Sequence, residues 1–164
     1  MKAPVCEQCA ESGLLCPACT RKMEQHEISK TDIDIARVLY KIEKKSVVMD
    51  FELKKSVQLD GFILVLAAGN IAPLIGKGGR IVRLISEELG KKVRIVGEGD
   101  FKDMIQDLVF PATVHGVNIL HSQEGEEYKV FLSYKDKNKL VLGDDALQKA
   151  MNYLAKSRVH IKYK

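Results

Sequence analysis

The sequence predicts an α+β protein: a short cysteine-rich segment followed by two copies of one unit, each running helix, strand, strand, helix, helix, strand. Three observations carry that expectation. Four cysteines crowd into the first 19 residues. Hydrophobic periodicity switches between helical and alternating spacing along the rest of the chain. The order of elements then recurs after about 65 residues, which marks an internal duplication.

The cysteines come first. Cys6-x2-Cys9 and Cys16-x2-Cys19 form two pairs separated by six residues. Each such pair makes a tight knuckle presenting two thiolates to one ion, and two pairs complete a tetrahedron. Pro17 stiffens the second knuckle, and the short gap leaves room for a hairpin through Gly13. A disulfide framework fits poorly without a secretory signal. A thioredoxin-like redox pair needs a strand-to-helix junction that is missing here, and His26 lies beyond an already complete set. The expectation is one structural zinc ion on Cys6, Cys9, Cys16 and Cys19, in a ribbon- or knuckle-like module over residues 1–26. Metal binding would supply the folding free energy of so short a segment.

Residues 20–27 are polar and non-periodic and read as a linker. From Ser29 an apolar stripe of Ile33, Ala36, Val38, Leu39 and Ile42 predicts a helix, capped by Ser29 or Thr31. "KKSVVMDFELKKSVQLDG" and "FILVLAAG" then read as strands joined at Asp60-Gly61, a hairpin signal. A short helix (Ile71 to Ile75), a glycine loop, a longer helix (Arg80 to Leu89) and a strand over 91–96 complete a unit of residues 27–97. Residues 98–164 repeat the order. Residues 100–110 read as a helix stopped by Pro111, and "ATVHGVNIL" and "YKVFLSY" as strands around a turn at Gly125. "NKLVL" stands for the first short helix, "DALQKAMNYLA" for the second and "VHIKY" for the last strand. The link Gly97-Glu98-Gly99 is short enough to favour rigid packing of the copies.

Between the two predicted helices of the first copy the sequence reads Ile75-Gly76-Lys77-Gly78-Gly79-Arg80-Ile81. One glycine suffices to end a helix, so the others need another reason. Glycine allows positive φ and the close approach of a backbone, and the following helix aims its positive dipole end at the same place. A Walker A loop is excluded, because Ile71 and Gly78 stand where that motif needs a glycine and a hydroxyl.

This stretch, within its order of elements, resembles the KH domain of type II. The tandem arrangement resembles the KH portion of the elongation factor NusA and its archaeal NusA-like relatives, over about 135 residues. The resemblance implies a loop that clamps about four nucleotides of single-stranded RNA. By the same resemblance Ile75, Ile81 and Leu84 line the adjoining groove, Gly76, Lys77, Gly78 and Gly79 form the clamp, and Arg80 and Arg83 flank it. In the second copy Gly143-Asp144-Asp145-Ala146 replaces the motif. Its two carboxylates would repel phosphates, so this copy reads as degenerate.

Charge agrees with a polyanionic partner. Residues 61–97 carry six Lys/Arg against two Glu, residues 98–133 two against seven acidic residues, and residues 134–164 eight against three. Five Tyr, five Phe and no Trp argue against folds that stack bases on rings, but not against an aliphatic groove. The four histidines stand alone, with no nucleophile beside them, so no enzyme and no small-molecule substrate is expected. No apolar run is long enough for a membrane span or a signal peptide, and the expected location is the cytoplasm. The expected function is a single-stranded RNA-binding adaptor, and the NusA-like resemblance implies a role in transcription elongation or termination with RNA polymerase as partner. The alternatives are a ribosome-associated or ribosomal-RNA-processing factor, and a KH scaffold that serves protein contacts alone.

Overall fold

A computed structural model describes residues 1–45 and 50–164. They form a mixed α+β protein with two three-stranded sheets and, among the described residues, seven α-helices. The chain divides into two compact units, Met1–Glu98 and Gly99–Lys164.

In the first unit, α1 (Glu7–Ser12) and α2 (Pro17–Glu24) precede α3 (Lys30–Lys44). Ser29 caps α3 through a reciprocal box. Its hydroxyl accepts from the Asp32 amide at 3.1 Å, while the Asp32 carboxylate accepts from the Ser29 amide at 2.8 Å. Asp32 is only 2% exposed and also accepts the backbone N–H of Ser56 from the sheet. One carboxylate therefore fixes both the start of α3 and its position on the strands.

The sheet has the order β1-β2-β3, with β1 Phe51–Leu59, β2 Phe62–Gly69 and β3 Lys92–Gly97. β1 and β2 are antiparallel about the tight turn at Asp60-Gly61, and β2 and β3 are parallel. A parallel neighbour requires a crossover, here α4 (Ala72–Ile75), a single 3-10 turn (Lys77–Gly79) and α5 (Arg80–Leu89). Ile63, Val65, Ala67, Val93 and Ile95 of the sheet share a core with Ile35 and Leu39 of α3, Leu74 of α4 and Ile85 of α5. Val5, Cys9 and Cys19 belong to the same core. Lys2 also pairs with β1, its N–H donating to Phe51 and its carbonyl accepting from Leu53 at 2.8 Å.

The second unit repeats this connectivity with α6 (Phe101–Val109), β4 (Val114–Ser122), β5 (Gly125–Leu132), α7 (Asp144–Ala155) and β6 (Val159–Tyr163). Its sheet order is β4-β5-β6, antiparallel then parallel. Ile105, Leu108, Val130, Leu132, Leu147, Met151 and Val159 are buried. Gln106 closes the corner between α6 and β4 by donating to the Ala112 carbonyl and accepting from the Val114 amide.

Three sequence expectations fail. The gap between the cysteine pairs holds α1 and a left-handed Gly13 cap rather than a β-hairpin, so the module is helical and not ribbon-like. Residues 20–24, read as linker, belong to α2, because Cys16 at the N-cap and Pro17 at the first helical position start a helix there. "NKLVL" is not a helix: a 3-10 segment ends at Lys139, and Leu142 turns inward while Val141 is 47% exposed, the alternation of an extended link. The early part of the first predicted strand, residues 46–49, lies outside the described residues.

Candidate functional site

Two features carry chemistry. The first is the cysteine cluster. Cys6 and Cys16 each sit in extended conformation at a helix N-cap, so Cys9 and Cys19 fall in the first turn of α1 and α2. The four sulfurs lie within 4.8 Å of one another, with Cys6 Sγ to Cys9 Sγ at 3.3 Å and Cys6 Sγ to Cys16 Sγ at 4.0 Å. A zinc–sulfur bond of about 2.3 Å in a tetrahedron places sulfurs about 3.8 Å apart, so the donor set fits zinc. Four thiolates fill the coordination sphere, which suits a structural role and leaves no open position for catalysis.

Backbone amides support the sulfurs. The Cys16 N–H donates to Cys9 Sγ at 3.1 Å, and the Cys19 N–H donates to Cys16 Sγ. The Cys19 amide, aided by the Cys9 thiol, pulls Cys16 down to about 6. The Cys16 amide also lowers Cys9, but burial and the neighbouring thiols outweigh it and push Cys9 up to about 12. Cys19 is raised as well: a hydrogen bond from the Cys6 backbone N–H lowers it, but burial together with the Cys6 and Cys16 sulfurs prevails. Crowded thiols resist losing four protons together, and a divalent cation at their centre would remove that penalty.

The second feature is the glycine loop, whose glycines differ in role. Gly76 has φ +75° and ψ 165°, and a Cβ there would lie 2.5 Å from Ile81 Cγ1 and 2.9 Å from the Ile81 backbone nitrogen. This glycine lets the end of α4 touch the start of α5. Gly78 also has positive φ, +61°, but a Cβ there would meet nothing within 4 Å. Its open side is solvent. Lys77, Arg80 and Arg83 are exposed around it, Arg83 reaching the Gly78 carbonyl at 3.5 Å. No side chain caps α5, so its positive dipole end faces the same solvent.

Beside the loop lies a groove of about 430 Å³ between α3 and α5. Of the sequence-predicted residues it brings together Arg80, Ile81 and Leu84. Ile75 and Gly76 are half-buried at the junction of α4 with the loop and do not line it. The opposite wall comes from α3 and the residue that caps its end: Val38, Lys41, Ile42 and Lys45. Sequence reasoning missed that wall, although the spacing i, i+3, i+4, i+7 is itself one helical stripe. With Glu88 at one end, three cations face one carboxylate across an aliphatic floor.

The corresponding loop of the second unit has a different geometry. Gly143 has φ −66°, ordinary for any residue, and α7 starts directly after it. Asp144 accepts the Tyr163 hydroxyl at 2.7 Å and pairs with Lys137 at 3.7 Å.

No described protein family matches this sequence, and no curated protein does. The chain is similar in structure to the crystal structure of APE1850, with a TM-score of 0.52 at 20% identity, over 68% of this chain and 87% of that one. That likeness is one of fold alone. Among the described residues no helix is long and apolar enough to cross a membrane.

Proposed function

We propose that the chain is a single-stranded RNA-binding adaptor built from two KH-type II-like units, the second degenerate, with a structural zinc ion on Cys6, Cys9, Cys16 and Cys19. The observation that carries the reading is the open glycine turn. Gly78 has unoccupied space where a side chain would stand, Lys77 and Arg80 flank it, and the Arg80–Ile81–Leu84 wall of a cationic, aliphatic groove begins beside it. A phosphate seated on the turn leaves the next bases to lie along that groove. The NusA-like resemblance of the sequence extends the proposal to transcription elongation or termination, in the cytoplasm, with RNA polymerase as partner. No catalysis is assigned.

The test compares the parent with Lys77→Asp/Gly78→Asp in binding short single-stranded RNAs at two salt concentrations. The expected result is at least about a tenfold loss and a shallower salt dependence, with the melting transition intact. Affinity that barely moves refutes the clamp. Co-purification with polymerase subunits rather than ribosomal subunits tests the process.

A further inference from the structure

Taken by itself, the second unit has a cationic sheet face. Strand residues alternate between faces. Val130 and Leu132 of β5 and Val159 of β6 are buried and share one face of the sheet, where α6 packs against β4 and α7 against β6. Residues at the intervening positions, Glu127, Lys129 and Phe131 on β5 and Arg158, His160, Lys162 and Lys164 at β6, therefore point the other way. Register agrees, since Lys129 is beside His160 and Phe131 beside Lys162.

The charges on this face are unbalanced. Glu127 is engaged by His160 at 2.8 Å and by Arg158 at 3.7 Å. Lys129 and Lys162 have no acidic partner among the described residues. Lys164 lies over the Phe131 ring, 4.1 Å from its centroid. Across the sheet the residue paired with Phe131 is Gly116, which follows a bulge at the exposed His115, so the paired position itself carries no side chain. Asn118 and Leu120 complete the β4 contribution without charge. Two unpaired lysines, a third cation held at an aromatic ring, and a glycine at the position paired with that ring suit a polyanion with flat bases. Phosphates would meet the lysines, and a base could stack at the ring.

We infer that the open face of the β4-β5-β6 sheet is a second binding surface for single-stranded RNA, with Lys129 and Lys162 on phosphates and Phe131 as a stacking platform. The inference rests on the RNA-binding reading of the chain, but not on the glycine loop of the first unit.

The test uses the full chain and a single-stranded RNA of about twenty nucleotides, long enough for more than one site of about four nucleotides. Lys129→Gln/Lys162→Gln is expected to weaken binding about tenfold and to flatten the slope of log affinity against log salt by about 1.4, from two lost phosphate contacts on a single strand. Phe131→Leu keeps an apolar side chain under Lys164 and is expected to weaken binding with the salt slope unchanged. Circular dichroism and melting show that each variant is folded. If the lysine variant binds like the parent while Lys77→Asp/Gly78→Asp loses binding, the sheet face is refuted and the loop reading stands. An acidic protein as the true occupant gives this same result for RNA. If the loop variant is unaffected and the sheet variant loses binding, the sheet face stands and the loop reading falls. If neither moves, both are wrong.

Discussion

Gly76 and Gly78 sit two residues apart in one turn, yet substituting each by alanine should break different things. At Gly76 two costs add. Its φ of +75° with ψ of 165° belongs to a region that is almost exclusive to glycine and costs about 1–3 kcal/mol for another residue. A Cβ would also stand 2.9 Å from the Ile81 backbone nitrogen, which cannot rotate away, and forced overpacking of this kind costs about 1–3 kcal/mol. Gly76→Ala should therefore destabilise the first unit by about 2–6 kcal/mol. At about 4–8 °C per kcal/mol for a unit of this size, the melting temperature falls by at least about 8 °C. Gly78→Ala pays only the left-handed backbone cost of about 1–2 kcal/mol, because nothing lies within 4 Å of the new methyl. That methyl instead projects into the proposed phosphate seat, so RNA affinity should fall about tenfold with the fold largely intact. Denaturant unfolding and fluorescence anisotropy with a short RNA read the two effects separately. A Gly76→Ala protein that melts within about 2 °C of the parent would refute the close-approach argument. A Gly78→Ala protein with parental affinity would refute the phosphate seat.

Removal of the metal by a chelator should destabilise the first unit, because Cys9 and Cys19 belong to its core; a loss of even about 2 kcal/mol lowers its melting temperature by about 8–16 °C. Metal analysis should give one zinc per chain, and Cys19→Ser should abolish it. Asp32→Ala leaves the buried Ser56 amide without its acceptor and opens the cap of α3, a loss of about 2–4 kcal/mol by denaturation, whereas Ser29→Ala should cost about 1 kcal/mol. Burial, and then the Asp144 carboxylate, raises Tyr163 to about 12, above the value near 10 of an unfolded tyrosine. Its contribution is thus fully present below about pH 10 and lost as pH rises through 12, and Tyr163→Phe should flatten that alkaline limb.

Local signals predict the elements that depend on local causes. Asp60-Gly61 marks a hairpin because the turn needs its glycine at φ +72°, and the stripe from Ile33 to Leu39 marks α3 because those residues are buried together. The four cysteines meet as their spacing requires. What surrounds them was not legible: α2 has no apolar stripe, and its start depends on a thiol acting as cap acceptor and on Pro17. The run Asn138–Leu142 is too short for its period to separate a helix from an extended link. The α3 wall of the groove was missed for another reason. Lys41 reads as a solvated helix lysine until α5 is seen to lie across from it, a relation between elements more than thirty residues apart.

The two units share connectivity but divide its chemistry. In the first, three glycines at positive φ hold a turn open to solvent and ring it with cations. In the second, the helix begins at once from a Gly143 of ordinary φ, and Asp144 is held by Tyr163 and Lys137. Replacing Asp144 and Asp145 by lysine would reverse the charge there without making an open turn, since the backbone that exposes Gly78 has no counterpart. It would also strip Tyr163 of its acceptor and put a cation beside Lys137. On the proposed reading a phosphate seat therefore needs the glycine conformations first and the charges second, and the cations of the second unit would meet RNA on its sheet face instead.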